Sequence, residues 1–145
     1  MNSCTFIGHR ECLQDIRAVL YETIETLITE ENIRTFYVGT HGQFDRIVYS
    51  VLSDIECKHD INVVVVLAYL NSKANVYYDL EKTEYPSELD GVPMKYAIRK
   101  RNEYMLRRSR FLVCYLNNPY TNTYKFVETA KRLGMEIINL GTLRI

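Results

Sequence analysis

One run of the sequence, Ile61-Asn62-Val63-Val64-Val65-Val66-Leu67, is apolar at six of its seven positions. Its β-branched residues show no polar alternation, which is typical of a strand that is covered on both faces. Strands of this kind belong to parallel sheets, because the crossover connections between parallel strands place helices on both faces of the sheet. The run therefore predicts an α/β protein.

Outward from this run, the chain alternates between short apolar runs and helical patterns. The other predicted strands are residues 4–7, 34–38, 110–116 and 135–140. Apolar residues spaced three or four apart predict helices over residues 11–31, 43–54, 94–108 and 122–133. This alternation predicts a single Rossmann-like domain over residues 1–145, with a five-stranded parallel sheet in the order 3-2-1-4-5 and helices on both faces. Residues 71–93 lack such a pattern, and we expect a loop or lid there.

Composition restricts the classes of partner. Lys and Arg number 18 and Asp and Glu number 18, and a net charge of zero argues against a dedicated nucleic-acid binder. The four cysteines form no C-x-x-C pair, so we expect no metal site and a reducing, cytoplasmic location. The longest apolar run, residues 61–70, is too short to span a bilayer. The 12 tyrosines leave a homo-oligomer open, because tyrosine is common at interfaces.

Loops rich in small, polar or turn-forming residues follow the first, second and fourth predicted strands, and each leads into a helix. Ligands of parallel sheets bind at the carboxyl ends of the strands, and helix N-termini there attract phosphate. A basic cluster in the third helix starts near the same edge. The predicted binding residues are Gly8, His9, Arg10, Gly39, Thr40, Gly42, Phe44, Asp45, Arg101, Asn102, Asn118, Asn122 and Thr123.

Several of these residues have a second interpretation. The Gly39-x-x-Gly42 turn either lets a ligand approach the backbone or only satisfies a strand-to-helix turn. Asp45 either holds a ribose hydroxyl or favours the helix N-terminus. His9 is either a general acid or a hydrogen-bonding residue, and Arg10 either binds a phosphate or is an ordinary surface arginine.

Four segments together resemble a known group. They are Phe6-Ile7-Gly8-His9-Arg10, Gly39-Thr40-His41-Gly42-Gln43-Phe44-Asp45, Arg101-Asn102-Glu103-Tyr104-Met105, and Asn122-Thr123-Tyr124 with Ala130-Lys131-Arg132-Leu133-Gly134. In this order they resemble the YpsA-like proteins of the SLOG superfamily, which also contains the LOG-type phosphoribohydrolases and the Rossmann domain of DprA. The resemblance implies a nucleotide or ADP-ribose-like ligand and no required cofactor.

The resemblance leaves catalysis open. Where LOG-type hydrolases carry a glutamate in the last helix, this chain has Phe126, which cannot perform acid–base chemistry. The first hypothesis is a nucleotide-binding module. The second is a nucleoside-monophosphate hydrolase that uses Arg101 with Asp45 or Glu103, and the third is an interaction scaffold with a vestigial pocket.

Overall fold

A computed structural model describes residues 2–70 and 73–145. Its strands are β1 (Ser3–Gly8), β2 (Thr35–Val38), β3 (Asn62–Val66), β4 (Thr83–Glu84), β5 (Phe111–Tyr115) and β6 (Glu136–Asn139). Its helices are α1 (Arg17–Glu31), α2 (Gln43–Glu56), α3 (Met94–Arg107) and α4 (Asn122–Arg132). All strand pairs are parallel, and the order across the sheet is β4-β3-β2-β1-β5-β6.

The Rossmann-like α/β fold and the parallel sheet confirm the prediction, but the predicted number of five strands is wrong. The additional strand, β4, consists of two residues that pair with Val65 and Val66 at the end of β3. A pairing of two residues has no hydrophobic period, so the pattern of the sequence cannot indicate it. The other five strands are neighbours in the predicted order, with β5 and β6 as the predicted fourth and fifth strands.

The sheet separates two apolar cores. Cys4, Phe6 and Phe36 point to one face and pack with α1 and α2. Leu112 and Cys114 point to the opposite face and pack with α3 and α4. Because successive side chains of a strand alternate between faces, the continuous apolar runs fill both cores.

The first helix begins later than predicted. Residues 11–16 form an irregular connection, and α1 starts at Arg17, whose backbone N–H donates to Oδ1 of Asp15. Leu13, which fits the helical period of the sequence, is 88% exposed. Apolar spacing alone predicted too long a helix, because the local side-chain bond of Asp15 competes with helical pairing.

Residues 73–93 are more ordered than a loop. They form three short 3₁₀ turns (Lys73–Tyr77, Leu80–Lys82 and Ser87–Leu89) and contain β4. Tyr78 and Leu89 are buried against the rest of the protein. Residues 71–72 of the predicted loop lie outside the described residues.

The two helical layers carry opposite charge. α1 has one arginine against four glutamates, and α2 has one arginine against three acidic residues. On the other face, α3 has five lysines and arginines against one glutamate, and α4 has three against one. The net charge of zero is therefore a balance between two faces.

No helix in the described part of the chain is both long enough and apolar enough to cross a bilayer.

The central strands should dominate stability. Leu112 in β5 is fully buried, and truncation to alanine removes packing that neighbouring atoms cannot fully replace. We expect Leu112→Ala to lower the free energy of unfolding by about 2–5 kcal/mol in urea denaturation. The control Leu80→Ala removes the same atoms at a site that is 83% exposed, and should change it by less than about 0.5 kcal/mol. Equal losses for both variants would contradict this core.

Candidate functional site

A cavity of about 510 Å³ opens at the carboxyl edge of the sheet, beside the neighbouring ends of β1 and β5. This is where the strand order reverses, the usual ligand position in parallel sheets. Its volume lies in the range of small-molecule sites. Nine of the predicted binding residues line it: Gly8, His9, Arg10, Asp45, Arg101, Asn102, Asn118, Asn122 and Thr123.

The other four predicted residues lie outside the wall of this cavity. Thr40 and Gly42 line an adjoining depression that shares Arg10, Glu11 and His41 with the cavity. Phe44 is buried and stacks on Tyr115 with 6.0 Å between ring centroids. Gly39 lies beneath the site and is not among its lining residues.

The glycines make room for the protein's own side chains and backbone. A Cβ on Gly39 would lie 2.8 Å from Cζ of Arg101 and 2.9 Å from Oδ2 of Asp45. Gly42 has a φ of +97°, and a Cβ there would lie 2.8 Å from Cα of Arg10. A Cβ on Gly8 would overlap the ring of Phe44. The structure thus supports the strand-to-helix interpretation of the Gly39-x-x-Gly42 turn.

Arg101 forms the base of the cavity and is 1% exposed. Its Nε donates to Oδ1 of Asn102 at 2.8 Å. One terminal nitrogen donates to the carbonyl of Val66 at 3.1 Å and to Oγ1 of Thr40 at 3.3 Å, and the other donates to Nδ1 of His41 at 3.4 Å. A buried cation needs such partners, because its loss of water is otherwise uncompensated.

His41 was not predicted as a binding residue, although it lies within the second loop. Burial and the positive charges of Arg101 and Arg10 lower the pKa of His41 to about 4, so its ring is neutral near pH 7. A guanidinium can only donate, so Nδ1 accepts and the proton resides on Nε2. The ring lies edge-on to Tyr69, with 5.5 Å between centroids.

Asp45 is 7% exposed and lies in the same cluster. Its Oδ2 accepts the backbone N–H of His41 at 3.0 Å. Burial raises the pKa of Asp45 to about 6, although the charge of Arg101 and the bond from His41 lower it. Asp45 therefore holds a carboxyl group that titrates close to neutral pH.

His9 contributes a hydrogen bond to the wall. Its Nε2 accepts the backbone N–H of Asn117 at 2.8 Å, and its ring lies edge-on to Tyr115. Burial lowers the pKa of His9, which favours the neutral ring. These contacts support the hydrogen-bonding interpretation of His9.

The rim of the cavity is suited to an anion. Asn122 and Thr123 begin α4 and line the cavity, and the first turn contains no acidic residue. Thr121 caps this helix by accepting the N–H of Tyr124 at 3.3 Å. Arg10 is exposed at the rim, and its guanidinium makes no hydrogen bond to any described residue. A helix N-terminus beside a free cation is a favourable position for a phosphate.

The remaining lining residues lay outside the predicted set. They are Phe6, Ile7, Glu11, His41, Ile98, Asn117, Thr121 and Phe126. Phe126 and Ile98 give the wall an apolar part. Asn117 lies two residues beyond the end of β5 and directly follows the predicted strand 110–116, so its position after a strand was the signal that could have identified it.

Glu103 does not line the cavity. Its Oε1 is buried without a hydrogen bond among the described residues and lies 3.8 Å from Nε of Arg99. The carboxylates that do line the cavity are Asp45 and Glu11. The hydrolase hypothesis therefore loses one of its two candidate carboxylates.

The expectation of a lid is not supported. None of the described residues 73–93 lines the cavity, and this segment instead covers the sheet edge beside β3. Within the described residues there is also no group of three or more His, Cys, Asp or Glu that could hold a metal ion.

Comparison with known proteins yields a likeness of fold. No protein-family model and no curated protein matches the chain. Among solved structures, it is similar to the X-ray structure of DNA processing protein A (DprA) from Streptococcus pneumoniae, with a TM-score of 0.71 and 15% sequence identity. The match covers 94% of this chain and 49% of that one, so this chain spans about half its length. The likeness shows a shared Rossmann-like fold.

The raised pKa of Asp45 predicts a pH dependence of stability. The folded protein holds this proton up to a pH of about 6, whereas the unfolded chain releases it near the ordinary value of 3.8. Asp45 therefore stabilises the fold at low pH, and this contribution, at most about 3 kcal/mol, is lost as the pH rises through about 6.

Asp45→Asn lacks this proton equilibrium. We expect its free energy of unfolding to rise relative to the wild type as the pH increases from 4 to 7, as measured by urea denaturation. The lowered pKa of His41 acts in the opposite direction but is present in both proteins. Parallel pH profiles of the two proteins would refute the assignment.

Proposed function

We propose that the chain binds a nucleotide or nucleotide-derived ligand in the cavity at the carboxyl edge of the sheet. The observation that carries the proposal is the convergence of residues from three separate loops and from α3 around this cavity. Resemblance to YpsA-like SLOG proteins supports an ADP-ribose-like or mononucleotide ligand. The proposal requires no additional cofactor.

The chemistry of the wall supports this ligand class. Arg10 and the N-terminus of α4 supply positive potential for a phosphate. Asp45 offers an acceptor for ribose hydroxyls, and the exposed edge of Phe126 offers an apolar surface for a base. The mixture of an apolar wall with a few polar groups is usual in small-molecule sites.

Single-stranded DNA is a second candidate ligand. The similar solved structure is named as a DNA processing protein, and the α3–α4 layer of this chain is strongly basic. Titration of a fluorescent oligothymidylate at several salt concentrations tests this possibility, because phosphate contacts weaken as salt increases. Saturable binding that AMP displaces would place the strand in the same cavity.

Arg10 provides a direct test of the phosphate site. We expect Arg10→Ala to weaken binding of AMP or ADP-ribose by about 1.5–3 kcal/mol in isothermal titration calorimetry, the magnitude of a hydrogen bond to a charged group. The control Arg34→Ala removes the same charge at the opposite edge of the sheet and should bind as the wild type does. Unchanged affinity in Arg10→Ala would count against the site.

Phe126, which stands where LOG-type hydrolases carry a glutamate, distinguishes the binding hypothesis from the hydrolase hypothesis. Cleavage of a ribose–base bond requires stabilisation of positive charge on the sugar and a positioned nucleophile. Phe126 supplies neither, and Asp45 is hydrogen-bonded to the backbone of His41. We therefore expect AMP to bind without release of adenine, as followed by liquid chromatography.

The hydrolase hypothesis makes the opposite prediction. It predicts that the protein releases adenine from AMP, that Phe126→Ala retains this activity, and that Asp45→Asn loses it. Glu103→Gln serves as the control, because Glu103 lies outside the cavity wall and its substitution should not affect such turnover.

A further inference from the structure

Most polar side chains of the cavity wall can in principle both donate and accept hydrogen bonds. Five of them are His9, His41, Asn102, Asn117 and Asn118. In every one, a donor of the protein already occupies the acceptor atom. What each side chain still offers to the cavity is therefore decided by the fold.

The loop after β5 fixes two of the amides. Oδ1 of Asn117 accepts the backbone N–H of Thr142 at 2.7 Å, and Oδ1 of Asn118 accepts the backbone N–H of Tyr120 at 2.9 Å. A backbone N–H can only donate, so the atom facing it must be the amide oxygen. The NH₂ groups of both asparagines are left without a partner among the described residues.

His9 is fixed in the same way. Its Nε2 accepts the backbone N–H of Asn117, so the neutral ring carries its proton on Nδ1. The remaining polar atom of His9 is therefore a donor.

Arg101 fixes the inner side of the wall. Arg101 donates to Oδ1 of Asn102 and to Nδ1 of His41. The NH₂ group of Asn102 and the Nε2–H of His41 are the donors that stay free. Asn102 is 7% exposed. The side-chain polar atoms of the described residues that are fully enclosed without a partner belong to Tyr78 and Glu103, neither of which lines the cavity. The free donors of the wall are thus accessible.

We infer that these five side chains form a hydrogen-bond donor cradle that selects its ligand by the oxygen atoms of a phosphate group, while the carboxylates of Asp45 and Glu11 are the acceptors of the wall. Non-ester phosphate oxygens accept several hydrogen bonds each and are matched by five neutral donors, the guanidinium of Arg10 and the N-terminus of α4. A ligand without such acceptors would leave desolvated donors unpaired, which is unfavourable. This inference rests on the proposed function and adds that the phosphate, rather than the nucleoside, carries recognition.

The first test compares ligands on the wild-type protein by isothermal titration calorimetry. The probes are AMP, adenosine and inorganic pyrophosphate. We expect AMP to bind at least 100-fold more tightly than adenosine, and pyrophosphate alone to bind and to displace AMP. Adenosine binding as tight as AMP binding would overturn the inference while leaving a nucleoside site.

The second test exchanges donors for acceptors at constant shape. Asn102→Asp and Asn118→Asp each keep the oxygen that the protein uses and replace the free NH₂ by a carboxylate oxygen. We expect each variant to bind AMP at least 10-fold more weakly. Asn118 is exposed on a loop, so its variant should fold normally, with an unchanged circular dichroism spectrum.

Asn62→Asp is the matched control, because it makes the same change of charge at the opposite edge of the sheet. It should bind AMP as the wild type does. If the wild type binds AMP, and Asn102→Asp and Asn118→Asp bind it as tightly as the wild type and the control do, the donor cradle is refuted and the proposed function stands. If the wild type binds neither AMP, ADP-ribose nor pyrophosphate, the proposed function itself is refuted, and the cradle with it.

Discussion

The guanidinium of Arg101 is buried where the central strands end, and the inner wall of the cavity is arranged around it. A buried charge is costly unless acceptors surround it, and Asn102, His41 and the nearby carboxylate of Asp45 meet that need. The same crowding explains Gly39, since any Cβ there would meet both charged groups. The positions of the side chains that face the cavity therefore follow from how the charge of Arg101 is accommodated.

Local pattern was sufficient for most of the fold. The valine run of β3 is buried on both faces, and parallel strands joined by helices have few permitted arrangements, so the order of the five longer strands followed. Strand β4 and the start of α1 depend on a few individual hydrogen bonds of the backbone or of a side chain. Such bonds produce no periodic pattern of apolar residues in the sequence. Leu13 shows the same limit, because an apolar residue at a helical spacing is exposed when the helix starts beyond it.

For the candidate site, the sequence indicated the edge of the sheet at which the cavity lies, but few of the contacts within it. Carboxyl ends of parallel strands share one edge, so loops that are distant in sequence were expected to meet there. The space beside Gly8 is taken by Phe44, which no glycine pattern reveals. The nitrogen of His41 that carries the proton is set by Arg101, which is 60 positions away in the sequence, so no local sequence pattern indicates it. Ligand identity, homo-oligomerisation and cytoplasmic location stay predictions.

The opposite charges of the two helical layers give the molecule an electric dipole directed across the sheet. Near the isoelectric point expected from the composition, about 6.8, the net charge vanishes but the dipole remains. At low ionic strength such a molecule adsorbs to both anionic and cationic matrices by presenting the matching face. It also orients as it approaches any charged surface, with its basic layer towards anions. Salt removes this behaviour once the Debye length falls below the thickness of the domain.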